Sequence, residues 1–240
     1  MWTRPPAYYA AVSPRSPAAP PPTDGSNALT AAQTRAREVA RRLQAAYPGA
    51  HTRLDHRNAF ELLIATVLSA QTTDDRVNTV TPELFRRWPT PESLAGARPD
   101  QVEPVIRVLG FQHRRAAQIV GVARALCDRF GAEVPEASSD LESLPGVGRK
   151  TANVVRGNWF GIPALTVDTH VGRVSRRLGW TTSADPAVAE RDICALLPGL
   201  DWTQLSHDLI WHGRAVCHPR RPACDACPVA DLCPSAGRVD

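Results

Sequence analysis

Ser139-Asp140-Leu141-Glu142-Ser143-Leu144-Pro145-Gly146-Val147-Gly148-Arg149-Lys150-Thr151-Ala152 is the stretch that decides the architecture. Ser139 and Glu142 have the spacing of a capping box, so a short helix is predicted to start there. Pro145 and Gly146 end it. Gly148 permits a sharp turn, and a second helix opens at Arg149. The pattern is helix, Gly-x-Gly hairpin, helix. Exposed N–H groups of Gly146, Val147 and Gly148 at a helix N-terminus make an anion site, so a DNA phosphate can dock there without any side chain. Such contacts position a protein on DNA without reading sequence. The G-x-x-x-x-G-K-[ST] spacing of a nucleotide P-loop is absent. Taken alone, two glycines also suit a plain steric turn between helices.

Outward from the hairpin, helix signals dominate. Asn58 is placed to cap a segment in which Phe60, Leu63, Ile64, Val67 and Leu68 follow helical spacing, and an amphipathic helix is predicted there. Further helices fit about 28–47, 75–88, 91–96, 99–108, 113–130, 138–144, 149–158, 169–178, 185–197 and 201–213, separated by turn signals such as Leu109-Gly110 and Leu178-Gly179. No stretch alternates with period two, so the fold class is all-α. With 240 residues the chain needs no disulfides to hold a core. No apolar run is long enough for a membrane helix. The N-terminus lacks the apolar region of a secretory signal, and seven prolines in its first 22 residues oppose an amphipathic transit helix. Residues 1–27 therefore read as a disordered, Pro-rich tail. A net charge of +4 permits an anionic partner without demanding one.

Of the 28 basic residues, only Lys150 is a lysine. Arg supplies charge everywhere else. Lys150 follows the hairpin, where the electropositive helix N-terminus and Arg149 both disfavour a charged ammonium. A neutral amine is a nucleophile that can form a Schiff base, which Arg cannot. The plain alternative is a phosphate-contacting cation. Asp168 lies 18 residues on, in Val167-Asp168-Thr169-His170, and is placed to cap the next helix. Near Lys150 its carboxylate would take a proton or stabilise positive charge on a sugar. His170 reads more readily as a hydrogen-bonded structural residue than as an acid or base.

Four of six cysteines, Cys217, Cys224, Cys227 and Cys233, form C-x6-C-x2-C-x5-C within 17 residues. Cys127 and Cys194 lie alone in helical patterns and read as core residues. Disulfides suit a secreted chain, which nothing here marks. Zinc sites usually pair two short knuckles, and here only one spacing is short. Four thiolates in one compact loop suit a [4Fe–4S] cluster. Arg220 and Arg221, between the first two thiols, are either solvated charges or a stiffened presentation of guanidinium forks to phosphates.

The hairpin, the Val167–His170 segment and the cysteine pattern, in this order, resemble the endonuclease III family of helix-hairpin-helix DNA glycosylases over about residues 30–233. The resemblance implies two helical domains flanking a DNA-binding cleft: a six-helix domain at 52–162 with the hairpin, and a domain built from 28–51 and 163–240 with the cluster loop. It implies excision of oxidised pyrimidines followed by β-elimination at the abasic site. Lys150 matches the family's Schiff-base lysine and Asp168 its catalytic aspartate, and the four cysteines match the cluster ligands. Gln71 matches the glutamine that fills the gap in the duplex, and Asp74 falls where the family has an acidic residue near the lesion pocket. Arg149 is counted with the hairpin's DNA contacts. Where the family has an aliphatic wedge, this chain has Phe111-Gln112, and either one fits as the residue that fills the unstacked step. The expected partner is double-stranded DNA with damaged bases or abasic sites, met by a monomer in the cytoplasm, on the nucleoid. Two other readings stand beside this one: an adenine-mismatch glycosylase, and a non-enzymatic DNA-binding or redox-sensing protein on the same scaffold.

Overall fold

A computed structural model describes residues 30–238, so the Pro-rich segment 1–27 lies outside the described residues. Those residues form eleven α-helices joined by turns and short 3₁₀ segments, with no strand among them. They are α1 (Ala31–Ala46), α2 (Ala59–Leu68), α3 (Asp74–Arg87), α4 (Pro91–Ala95), α5 (Pro99–Ile106), α6 (Gln112–Phe130), α7 (Ser138–Glu142), α8 (Arg149–Asn158), α9 (Thr169–Arg177), α10 (Pro186–Leu196) and α11 (Trp202–Ala215). None of them is long and apolar enough to cross a membrane.

Local chemistry sets most of the boundaries. Asn58 Oδ1 accepts from the Glu61 N–H at 2.8 Å and starts α2. Thr30 and Gln33 close a capping box on α1, and Asp185 and Asp201 cap α10 and α11. Gly131, at φ +60, ends α6 in the left-handed conformation. The capping box expected at Ser139 does not form. The N-cap of α7 is Ala137, two residues before the expected one, so Ser139 is already inside the helix; Ser138 Oγ donates to Glu142 Oε1 at 2.8 Å instead. After Ile106 the chain tightens into a 3₁₀ turn, Arg107–Leu109, rather than continuing α5 to 108.

α2 also departs from expectation. From Phe60 to Leu68 every residue is buried, including Glu61 and Thr66, so α2 is a central core helix and not an amphipathic one. Glu61 is tolerated because Arg57 pairs with it at 2.6 Å, and Thr66 Oγ1 donates back to the Leu62 carbonyl at 2.7 Å. Two clusters of buried side chains result. One gathers α2–α8, from Leu54 to Val155. The other joins α1 to α9–α11 and to Val229 of the cysteine loop. The chain thus passes out of the second cluster after α1 and returns to it after α8.

Candidate functional site

In the hairpin, the Val147 N–H donates to the Leu144 carbonyl at 3.1 Å, and Val147 is buried beneath the turn. Gly146 sits at φ +70, and a Cβ there would meet Gln118 Nε2 at 1.8 Å. That amide donates to the Gly146 carbonyl at 3.1 Å, tying the turn to α6. Gly148 differs. Its backbone is extended, which any residue adopts, and a Cβ would point into open space. It caps α8 without a side-chain bond, so the first N–H groups of α8 face outward.

Lys150 is the second residue of α8 and is exposed. It lines a cavity with Asn153, Val167, Glu190 and the N-terminal end of α10 at Asp185–Ala187. Val167 brings the Asp168 segment to the lysine. Asp168 is half-buried and caps α9, with Oδ1 accepting from the Val171 N–H at 2.8 Å. Asn153, four per cent exposed, donates to the Leu165 carbonyl at 2.7 Å and so ties α8 to the segment leading into Asp168. Arg149 points to the protein. Its fork meets Glu190 at 2.7 and 3.0 Å, and Glu190 also accepts from Asn153 at 3.3 Å. Glu190 therefore stands beside both Arg149 and Lys150. Burial lowers the pKa of His170 more than the Asp168 charge raises it, and its Nδ1 lies 3.2 Å from Arg173 Nη2.

Gln71 and Phe111 occupy two loops, both exposed and both with positive φ, +60 and +50. Phe111 is 68% exposed, and with Val108 it makes up the exposed large hydrophobics among the described residues. Gln112 opens α6 and is half-buried. Asp74 opens α3 and reaches Arg214 of α11 at 3.4 Å, joining helices of the two cores.

All four clustered cysteines are free and line one recess with Arg177, Leu178 and His212. Arg177 braces it, donating to Cys217 Sγ at 3.2 Å and to the His218 and Pro219 carbonyls at 2.6 and 3.0 Å. His212 Nε2 lies 3.7 Å from Cys227 Sγ, and Tyr47 Oη lies 3.0 Å from the other ring nitrogen. Burial raises the pKa of Cys227 and Cys233, and neighbouring thiols add to it. Four crowded thiolates therefore need positive charge among them. Among the described residues no three His, Cys, Asp or Glu converge as for a single ion, whereas one recess wide enough for four thiols suits a larger group. The residues fit an iron–sulfur cluster. Arg220 and Arg221 stand exposed on the loop, Arg221 at φ +51.

Sequence reasoning missed Arg115, Asn153, Arg177, Glu190 and His212. All five act through partners distant in the chain, and no local pattern marks them.

Residues 64–198 match the model of the HhH-GPD superfamily of base excision DNA repair proteins, and residues 217–233 match the iron–sulfur binding domain of endonuclease III. Endonuclease III of Synechocystis sp. is 47% identical over 209 residues, which is 87% of this chain and 95% of that protein. The chain belongs to the endonuclease III family. Endonuclease III of Bacillus subtilis is 40% identical, covering 81% of this chain and 89% of that one. A solved non-covalent endonuclease III–DNA complex superposes with a TM-score of 0.81 at 40% identity, covering 86% of this chain and 97% of that one. As a member of the endonuclease III family, the protein is a base excision repair DNA glycosylase and AP lyase with an iron–sulfur cluster. The adenine-mismatch and non-enzymatic readings are not favoured.

Proposed function

We propose that the protein removes oxidised pyrimidines from double-stranded DNA and cleaves the resulting abasic site, with Lys150 as nucleophile and Asp168 as its carboxylate partner. The observation that carries this is the cavity that the only lysine shares with Val167, the residue immediately before Asp168. The damaged base first leaves the stack. The neutral Lys150 amine then attacks C1′ and forms a C–N bond as the glycosidic bond breaks. The base leaves with the bonding electrons and takes up a proton. Asp168 stabilises the positive charge that develops on the sugar. Ring opening gives a protonated imine, which acidifies the C2′ hydrogen. Loss of that proton expels the 3′ phosphate and breaks the strand.

The remaining residues serve binding. The hairpin backbone at Gly146 and Gly148 takes a phosphate, whereas the Val147 N–H already donates to the Leu144 carbonyl and Val147 serves the turn itself; Arg149, fixed by Glu190, adds charge beside them. Gln71 and Phe111 fill the gap left by the extruded nucleotide. The exposure of Phe111 supports it as the wedge, with Gln112 behind it, and Asp74 borders the lesion pocket. Cys217, Cys224, Cys227 and Cys233 hold a [4Fe–4S] cluster, which supplies a rigid centre to the loop that offers Arg220 and Arg221 to phosphates. The two cores support two domains, 52–162 and 28–51 with 163–240, around the DNA cleft. The protein would work as a monomer on nucleoid DNA in the cytoplasm. Borohydride trapping tests the chemistry. The native protein should give a covalent adduct with abasic or thymine-glycol DNA, and Lys150→Arg should give none while still binding. An adduct with Lys150→Arg refutes the mechanism.

A further inference from the structure

The loops that carry Gln71 and Phe111 share one buried cation. Arg115 lies in the first turn of α6 and is 5% exposed. Its Nη1 donates to the Leu68 carbonyl, its Nη2 to the Ala70 carbonyl at 2.7 Å, and its Nε to the Gly110 carbonyl at 2.9 Å. Its own N–H donates to the Phe111 carbonyl at 3.0 Å. All the side-chain partners are neutral backbone oxygens.

This is an expensive place for a cation. A helix N-terminus is electropositive. Burial takes the guanidinium out of water and lowers its pKa, and Arg114 beside it adds to the effect. An aliphatic side chain would fill the space at no electrostatic cost. What the guanidinium alone provides is a planar fork that reaches both loops at once. Two of its acceptors, Ala70 and Gly110, immediately precede Gln71 and Phe111. Those two residues hold left-handed conformations that a residue with a Cβ adopts reluctantly, so a restraint from outside each loop is required.

We propose that Arg115 is a positioning residue that couples the two loops and presents Gln71 and Phe111 to the opened duplex as one pre-formed wedge. This rests on the reading that those two side chains fill the gap. Pre-organisation of this kind lowers the ordering cost when DNA is engaged.

The test uses full-length protein with its cluster, in single turnover at saturating enzyme. One substrate is a thymine-glycol duplex. The other is single-stranded DNA with a preformed abasic site, where there is no gap to fill. Gln71→Ala and Phe111→Ala should each slow excision from the duplex. If neither slows excision, the gap-filling reading itself fails. Arg115→Lys keeps the charge and loses the fork. It should slow duplex excision by about tenfold or more, since a misplacement of about 1 Å can cost about a hundredfold, and spare single-strand cleavage. A native duplex rate for Arg115→Lys, when the other two variants are slow, overturns the coupling, as does an equal loss on both substrates. Should Arg115→Lys fail to fold, fluorinated Phe111 reads the same link in an otherwise native chain. Ala70→Gly, which loosens the opposite loop, should shift or broaden its fluorine resonance, and an unmoved resonance overturns the proposal.

Discussion

Asp168 caps α9 and, in the mechanism proposed above, also supplies a carboxylate to the chemistry, and a pair of substitutions separates the two roles. Its Oδ1 accepts the Val171 N–H at 2.8 Å and caps α9, and it directly follows Val167, which lines the cavity of Lys150. Asp168→Ala removes both roles. Losing an N-cap costs about 1 kcal/mol, and for a protein of this size that lowers the unfolding midpoint by about 2–4 °C. Asp168→Asn keeps the cap, because an amide oxygen accepts the same N–H, and loses only the attraction of a charge for the helix N-terminus. On a half-exposed residue that loss is about 0.3–1 kcal/mol, so the midpoint should fall by about 1–4 °C, and by more in Asp168→Ala, which loses the cap bond on top of the charge. Chemistry should not follow this order. Both variants lack the carboxylate, and removing one pre-organised electrostatic group costs about a hundredfold to a thousandfold in rate. The assay pairs thermal unfolding with single-turnover excision. The expected result is a stability ranking of native, Asn, Ala and a uniform collapse of excision in both variants. If Asp168→Asn excises at the native rate, the carboxylate has no chemical role. If Asn is as unstable as Ala, the cap is not formed as described.

Three further outcomes follow from other parts of the molecule. Gly146→Ala places a Cβ at φ +70 and against Gln118 Nε2, so the turn must shift and its bond to Gln118 breaks; the left-handed strain of about 1–2 kcal/mol should weaken duplex binding about tenfold by fluorescence anisotropy, and unchanged affinity would rule out the hairpin as a phosphate contact. Cys227→Ser removes a ligand from the recess; the visible absorbance should vanish and trypsin should cut faster after Arg220, whereas a coloured, protease-resistant variant would show that Cys227 does not hold the cluster. Burial raises the carboxyl of Asp208 from 3.8 to about 6. The folded state therefore holds a proton that the unfolded state has lost, and stability falls as pH rises from about 4 to 6, by up to about 3 kcal/mol. Asp208→Asn should raise the unfolding midpoint at pH 7.5 and give no gain near pH 4, and equal effects at both pH values would contradict that sign.

Local chemistry was legible in the sequence. Asn58 and Asp168 cap helices where their positions say, and the cysteine spacing gathers four thiols into one recess. Errors arose where tertiary burial decides. The spacing of Phe60, Leu63 and Leu68 looked like one apolar face, but α2 is enclosed on every side, because Glu61 and Thr66 satisfy their polar atoms within the helix and its N-terminal flank. Arg149 read as a DNA contact because its hairpin neighbours do. What the sequence did not show is that its fork is also held by Glu190, 41 residues away, a separation no local pattern reveals. Arg115 sits in the run His113-Arg114-Arg115, which looks like exposed charge, yet its acceptors at Leu68 and Ala70 are 47 and 45 residues distant.

The single lysine takes on a sharper meaning beside these arginines. Composition suggested that the other basic positions need only a positive charge. Several need more than that. Arg115 spans three carbonyls, Arg177 bonds a cysteine sulfur and two carbonyls of the cluster loop, and Arg173 joins the Gly213 and Cys217 carbonyls. A rigid fork of donors makes such clamps with little loss of side-chain freedom, and an ammonium on a flexible stem does not. Arg is therefore a structural choice at the sites that hold the Gln71 and Phe111 loops and the cluster loop in place. In the proposed mechanism, position 150 inverts the requirement. A fork fixed by several acceptors could not approach a sugar carbon, and a guanidinium cannot become an imine. The same chemical difference that makes Arg the right clamp around the site makes it useless at the centre. Lys150→Arg should thus be damaging in chemistry alone, and arginine-to-lysine changes at 115 and 177 damaging in geometry alone.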